Sequence, residues 1–581
     1  MRPNPNLPRG VQAFLFEAAE RRRRVEDAVV ATLLAAGLRE VILPVLDYAA
    51  PYEGVTAEGD ERLYRFMDRE GQLLSLRADF TPMAARLLAP RLAGMGSVAL
   101  FYRGDVVRDE EAGVGRPREF AQIGAERYGE AGQESDAATL RLLLRCLSLV
   151  PAASLRVTLG YAELLPRLLA SAAPSLVRGK GQALTRVMAW VRERRVTAVE
   201  AALAEAGASD GVAAEIAGAL LVGFDPASRL FSPPALAGAA QELARALALV
   251  AEASPGLEAV VDLAGTPEAP YYTGLTFRVD GLDAKGAVAS GGRYDRLLSR
   301  FGAAAPAVGF SIGVEALSVC AAPGGAAEIA SAKSGVSNAA PDGAAEIASA
   351  KAPATRSADR LAKAVPARTP LRIAVGKGRL LAPALAALRS AGIELPEQDG
   401  RRLLLTDAAG AHELLLLKDD DVPTYVAQGG AHLGVTGSDR VAESGEEVFT
   451  PVELPFGVCR LSLIGRQGEP FRPDGSPVRV GTKYTRCAER AFAERGLPCE
   501  IVPLAGSVEL AAALRLTDVV VDLIETGATM SANGLVELET LMESRATLIV
   551  GPRALMTRRA EVAALVNRLR AAMRDGVSAS C

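Results

Sequence analysis

Residues 321–369 divide this chain. They are rich in Ala, Ser, Gly, Lys and Pro, hold no aromatic residue, and carry the nonapeptide GAAEIASAK twice, at 325–333 and 343–351. A stretch so poor in apolar bulk cannot bury enough surface to offset its conformational entropy. Two short copies also fall below the roughly three repeats that a solenoid needs. The segment therefore reads as a low-complexity linker, and 49 such residues have a root-mean-square reach of roughly 35 to 42 Å. A chain of 581 residues is thereby cut into two halves, 1–320 and 370–581, each long enough for its own core.

Bulk composition narrows the function. A net charge of -4 and a pI near 5.7 give no overall basic footprint for nucleic acid or membrane surfaces. His412 and His432 are the two histidines, which argues against a His-rich metal site or a His-based triad. The six cysteines form no C-x-x-C pair, so reduced thiols in a cytoplasmic enzyme are expected. The opening MRPNPNLPRG lacks the apolar core of a signal peptide, and no run of about 18 apolar residues follows. A cytoplasmic protein is the expectation.

In the N-terminal half, FLFEAAERRRRVEDAVVATLLAAG has helical spacing and ends at Gly37. Its Arg21–Arg24 run reads as a solvated helix face. EVILPVLDY reads as a strand. LLSLRADFTPMAARLLAP reads as a strand and a helix entered at Thr81-Pro82. SVALFYRGDVVRDE and PREFAQIGAERYG read as paired strands. A long helical stretch is expected over about 135–250, followed by YYTGLTFRVDGL, ASGGRYDRLL and VGFSIGVEALSV. Hairpins grouped apart from helices indicate an α+β domain with an antiparallel sheet. In the C-terminal half, LRIAVGKGRL, AHLGVTGSDRVAE, VRVGTKYTRCAERAFAERG and TDVVVDLIETGATMSANGLVELETLM each read strand, loop, helix. Such repetition indicates an α/β domain with largely parallel sheets and a ligand site at the strand carboxyl ends.

Residues 519–535, VVVDLIETGATMSANGL, carry the most chemistry. Asp522 lies near the end of an apolar run, and Glu525-Thr526-Gly527-Ala528-Thr529 forms a small, hydroxyl-rich turn into an expected helix. Backbone N–H groups, Thr hydroxyls and a helix N-terminus converging on one point suit a phosphate monoester. Carboxylates beside it suit the hydroxyls of a sugar, so the stretch reads as a ribose-5-phosphate pocket. Gly376-Lys377-Gly378-Arg379 puts two cations on a Gly turn after a strand, which suits a second anion such as a leaving pyrophosphate. It is not a Walker A loop. Lys483 in GTKYT and the turn Thr436-Gly437-Ser438-Asp439 occupy equivalent strand ends. Structural or surface duty is expected of His432.

GKGRL, LGVTGSD, GTKY, GSVEL and DLIETGATMSANGL, in that order over 371–581, resemble ATP phosphoribosyltransferase in its short form. The resemblance implies a two-lobed domain like the periplasmic binding proteins, with lobes of about 370–457 plus 549–581 and 458–548. It implies transfer of ATP, through adenine N1, to C1 of phosphoribosyl pyrophosphate with release of pyrophosphate, the first step of histidine biosynthesis. Asp522 would bind the ribose hydroxyls, and Glu525, Thr526, Gly527, Ala528 and Thr529, with Lys483, would hold the phosphoribosyl group. Lys377 and Arg379 would face pyrophosphate or ATP phosphates. Mg²⁺ shielding the pyrophosphate is expected, with its ligands unassigned.

The N-terminal half resembles histidyl-tRNA synthetase in FYRGDVVRDEEAGVGRPREFAQIGAERYG, YYTGLTF, SGGRYDRLL and VGFSIGVEALSV. Two departures matter. Where the family's third motif carries an ATP-binding Arg this chain has Ala316, and the segment before Tyr271 lacks the family's catalytic Arg. A methyl group does not replace a phosphate-binding guanidinium. The matching positions that remain, Asp79, Thr81, Arg103, Gln122, Glu126, Tyr271 and Tyr272, imply a histidine pocket. The half thus resembles the synthetase-like regulatory subunit of ATP phosphoribosyltransferase, and the whole reads as a fusion of that subunit to the catalytic one. Feedback inhibition by histidine, a homo-oligomer and no tRNA partner are the resulting expectations. The alternatives are an active histidyl-tRNA synthetase fused to a phosphoribosyltransferase, and a two-lobed binding module without catalysis.

Overall fold

The computed structural model describes residues 7–578 apart from 56–61, 93, 110–116, 179–180, 266–269, 283, 285, 322–368, 395–402, 470, 472–475, 507 and 526. The duplicated nonapeptide and nearly all of the expected linker lie outside the described residues. Contacts divide the chain into two compact units, Met1–Met188 with Leu203–Ala350, and Ala189–Ala202 with Lys351–Cys581.

The first unit is built on an eight-stranded sheet. In spatial order its strands are Arg39–Glu40, Val98–Val107, Glu119–Tyr128, Ala307–Gly313, Ala287–Arg293, Leu275–Gly281, Leu155–Tyr161 and Glu258–Val261. The six central strands pair antiparallel, and only the two outermost run parallel to their neighbours. The helix Glu17–Ala35 buries Val25, Val29, Val30 and Leu33 at helical spacing. Of its arginine run, Arg22 is not simply solvated but ion-paired to Asp105 and Glu315 at 3.1 Å each. The continuous helical stretch expected over about 135–250 is broken: the helix Gln133–Leu147 gives way to the strand Leu155–Tyr161 before Leu164–Ala172. Leu155, Val157 and Leu159 are buried at a period of two, a strand signal that the Ala- and Leu-rich flanks mask. EVILPVLDY likewise splits, its first residues joining the large sheet and Leu46–Tyr48 a separate three-stranded one.

The second unit holds two sheets. One has six strands in the order Leu404–Thr406, His412–Leu417, Leu371–Gly376, Leu433–Gly437, Ala546–Val550 and Phe449–Glu453. The other has five, Cys499–Pro503, Val478–Thr482, Val519–Ile524, Cys459–Arg466 and Leu535–Ser544. Each contains three adjacent parallel strands extended by antiparallel ones, so both sheets are mixed rather than largely parallel. The reason is local. Leu535–Ser544, expected to continue a helix, is a ten-residue strand paired with Cys459–Arg466. The chain passes between the sheets twice, from Glu453 to Cys459 and from Ser544 to Ala546. Leu433, Leu548, Ile549 and Val550 form part of the dry interior on one side, and Val480, Val520 and Val521 on the other. His432 sits at a strand start and accepts the Arg372 N–H on Nδ1 at 2.8 Å, a structural role.

Candidate active site

A cavity of about 370 Å³ lies between the two sheets of the second unit, at the lower end of volumes that hold small ligands. The six-stranded side contributes Arg379, Leu380, Asp419, Gly437, Asp439 and Arg440. The five-stranded side contributes Lys483, Asp522 and Leu523. Arg379 follows the strand Leu371–Gly376, Asp419 follows His412–Leu417, Asp439 follows Leu433–Gly437 and Lys483 follows Val478–Thr482. Every one of these stands past the carboxyl end of a parallel strand, where open α/β sheets place ligands.

Charges alternate around the wall. Lys483 Nζ lies 3.3 Å from Asp522 Oδ1, which also accepts the Leu523 N–H at 2.8 Å. Arg379 pairs with Glu525 at 2.8 Å and donates to Cys459 Sγ at 3.1 Å. Arg440 pairs with Asp420 at 2.6 Å, approaches Asp439 at 3.5 Å, and lies over the Tyr484 ring at 4.9 Å. Asp439 is buried and accepts from the Tyr484 phenol at 2.9 Å and the Ser544 hydroxyl at 2.6 Å. Burial, and then the Asp439 carboxylate, push the Tyr484 phenol well up, so it stays a donor. A Cβ on Gly376 or Gly378 would fall within about 2.4 Å of the Asp419 carboxylate and force it to move. Asp419 Oδ1 is buried and has no hydrogen-bond partner among the described residues.

Of the residues singled out in the sequence, Asp522, Lys483 and Arg379 meet in this cavity, and Glu525 reaches its edge through Arg379. Gly527 stands at the head of the following turn with φ +76°, a conformation that glycine supplies readily. That turn enters a helix of only five residues, Ala528–Ala532. The expected helix N-terminus is therefore a single turn, and its macrodipole is correspondingly slight. Thr526 lies outside the described residues, as do the side chains of Ala528 and Thr529. Lys377 is exposed and does not line the cavity. Its phase along the turn, with its N–H bound to Leu417 O at 2.9 Å, separates it from Arg379. Sequence reasoning missed Asp419 and Arg440 and gave Asp439 no role, although LGVTGSDR repeats the strand–turn–helix form that marks such positions.

The first unit gathers a second polar cluster. Glu126 is 1% exposed and accepts from Thr81 at 2.8 Å, from Tyr102 at 2.9 Å and from Tyr294. Burial raises its carboxyl to about 7, against the opposing pull of those three hydroxyls. Asp79 accepts from the Tyr271 phenol at 3.3 Å and from the Thr81 N–H at 3.0 Å. Tyr272 packs beside Tyr271, with ring centroids 5.1 Å apart. Gln122 shares the Glu126 face of the strand Glu119–Tyr128, and its Oε1 is buried without a partner among the described residues. Arg103 does not join this cluster. It takes the opposite phase of its strand from Tyr102 and pairs with Glu40 at 3.0 Å and Glu26 at 3.5 Å. Tyr102 and Tyr294 complete the cluster and were not singled out in the sequence.

Comparison with known proteins gives two families. The family model described as Histidyl-tRNA synthetase matches residues 10–317, and that described as ATP phosphoribosyltransferase matches 418–571. The ATP phosphoribosyltransferase of Thermus thermophilus is 46% identical over 204 residues, 35% of this chain and 97% of that protein. Among solved structures, the ATP phosphoribosyl transferase (HisG:HisZ) complex from Thermotoga maritima is 30% identical, over 36% of this chain and 98% of that one, with a TM-score of 0.33. An ATP phosphoribosyltransferase regulatory subunit/histidyl-tRNA synthetase from Bacillus halodurans C is 18% identical, over 72% of this chain and 94% of that one, with a TM-score of 0.48.

Proposed function

The chain belongs to the ATP phosphoribosyltransferase family through its C-terminal region and to the histidyl-tRNA synthetase family through its N-terminal one, and from that premise we propose which residues do the work. The protein is an ATP phosphoribosyltransferase, a glycosyltransferase of histidine biosynthesis. The reaction forms a bond from adenine N1 to ribose C1 and expels pyrophosphate. Positive charge develops on the ribose ring as the pyrophosphate departs, so positioning and electrostatics carry the rate and no protein nucleophile is needed.

The single observation behind the site assignment is that one cavity joins the Lys483–Asp522 pair on one wall to Arg379 and Arg440 on the other. Asp522 accepts hydrogen bonds from the ribose diol, with Lys483 at 3.3 Å orienting its carboxylate. The Glu525–Thr529 turn holds the 5-phosphate on backbone N–H groups. Arg379 and Arg440 neutralise the pyrophosphate and the nucleotide phosphates, exchanging their carboxylate partners for substrate oxygens. Lys377, exposed and outside the cavity lining, is left the outer phosphates. Two sheets with a cavity between them support the reading of a two-lobed domain like the periplasmic binding proteins.

Mg²⁺ fits this site as a substrate-borne ion. Among the described residues no three carboxylate, imidazole or thiol groups form a cage, and Mg²⁺ is commonly held by one or two carboxylates plus phosphates. Asp419, with its unpartnered buried oxygen, and Asp522 would hold it. When bound, the ion supplies charge neutralisation at the departing pyrophosphate.

The N-terminal region is proposed to sense histidine and to set the activity of the catalytic region. Asp79, Gln122 and Glu126 offer acceptors for an α-ammonium and an imidazole, and Tyr271 and Tyr272 offer walls. Arg103 has no part in it. A homo-oligomer is proposed as the working form. No helix among the described residues is long and apolar enough to cross a membrane.

Incubation with ATP, phosphoribosyl pyrophosphate and Mg²⁺, with and without histidine, tests the reading. Phosphoribosyl-ATP should form and histidine should slow it. An active synthetase would instead show histidine-dependent ATP–pyrophosphate exchange, which Ala316 argues against. Robust exchange would overturn the sensor assignment.

A further inference from the structure

The helix Thr485–Glu494 begins without a cap of its own. Tyr484 stands at its N-cap and makes no capping bond, although a helix start leaves four N–H groups to satisfy. The acceptor comes from the opposite wall of the cleft. Glu443, on the helix Ser438–Ser444 of the six-stranded side, accepts the N–H groups of Arg486 at 3.1 Å and Cys487 at 3.0 Å. It also accepts the Thr485 hydroxyl at 3.2 Å. One turn earlier on the same helix, Asp439 accepts the Tyr484 phenol and the Ser544 hydroxyl of the five-stranded side. Residues four apart share a helix face, so two carboxylates on one face hold the far wall. Between them in the chain, Arg440 lines the cavity. On the far side, Lys483 immediately precedes the capped helix and meets Asp522.

We infer that Glu443 is a positioning residue for phosphoribosyl transfer: by capping the Thr485 helix across the cleft, its carboxylate sets the spacing between Arg379 and Arg440 on one wall and the Lys483–Asp522 pair on the other. Glu443 does not line the cavity, so it acts through the walls and not on substrate. This rests on the reading of the cavity as the active site. Displacing reacting groups by about 1 Å can cost on the order of a hundredfold in rate, so a loosened clamp shows in turnover before it shows in binding.

The experiment compares Glu443→Ala and Glu443→Gln with the unaltered full chain by steady-state kinetics, thermal unfolding and amide hydrogen exchange. In Glu443→Ala, kcat should fall roughly 10- to 100-fold while KM for each substrate moves by less than about threefold. Exchange at the Arg486 and Cys487 amides should quicken. Glu443→Gln keeps the size and one carbonyl acceptor and should recover part of kcat. If the alanine variant does not fold, the glutamine variant decides by the same split. Unchanged kcat, or kcat and KM lost in step with melting, overturns the inference while leaving the site assignment standing. Absence of phosphoribosyl-ATP from the unaltered chain overturns both.

Discussion

Asp522 lines a cavity and Glu126 lies buried among hydroxyls, so two carboxylates meet opposite surroundings. Asp522 has the Lys483 ammonium at 3.3 Å and a backbone N–H on Oδ1, which orient it as an acceptor. Losing a charged hydrogen-bond acceptor costs about 1.5–3 kcal/mol per bond. Asp522→Ala is therefore expected to lower kcat/KM for phosphoribosyl pyrophosphate by roughly 100-fold, with a melting temperature close to that of the unaltered protein. Steady-state kinetics beside a melting curve checks it, and an unmoved kcat/KM removes Asp522 from the site. Glu126 accepts from three neutral hydroxyls, and burial lifts it to about 7 from an ordinary 4.5. The folded protein then holds a proton there that the unfolded chain releases above about pH 4.5. This stabilising share is complete below pH 4.5 and is lost as pH rises through about 7, a difference of about 3 kcal/mol. The melting temperature of Glu126→Gln minus that of the unaltered protein should thus rise from pH 4.5 to 7. A flat difference would show that the carboxyl titrates normally.

The turn after Val519–Ile524 shows what a sequence can and cannot disclose. Val519, Val520 and Val521 announce a buried strand, and the small residues around Gly527 announce a turn; the strand is there, and the structure adds a φ of +76° at Gly527. The following residues, LVELETLMES, have the composition of a helix and lie in a strand, because pairing along the whole length of Cys459–Arg466 outweighs their propensity. The strand Leu155–Tyr161 was hidden in the same way by helical neighbours. Asp522, Lys483 and Arg379 were legible because each ends a recognisable strand. Asp419 and Arg440 were not, since their place in the cavity follows from the order of strands in space. Around Gly527 an added Cβ would meet nothing closer than 3.7 Å among the described residues, so the constraint they impose there is that of the backbone. A left-handed non-glycine residue costs roughly 1–2 kcal/mol, less for Asn. Raised KM for phosphoribosyl pyrophosphate in the order Asn, Ala, Val at position 527 is expected, with little change in melting. Equal kinetics across the three would show that the turn's conformation does not matter to substrate.

At the scale of the whole molecule, two families that could exist as separate proteins occupy one chain, with the Ala-rich stretch 321–369 between them. Joining two modules in one chain replaces a bimolecular association with one governed by an effective concentration, on the order of millimolar where the tether is short. The linker's sequence then matters little, and its continuity matters a great deal. Allosteric coupling between two ligand sites is typically about 1–3 kcal/mol, which a weakly associated pair would forfeit on dilution. A protease site placed between the two nonapeptides turns this into a measurement. In the intact chain, inhibition by histidine should be the same across a hundredfold range of enzyme concentration. After cleavage it should fade as the enzyme is diluted and return on concentration, while the C-terminal piece keeps its family's chemistry. Inhibition that survives cleavage and dilution alike would mean that the two regions hold together without the linker, and that the fusion fixes their ratio and nothing more.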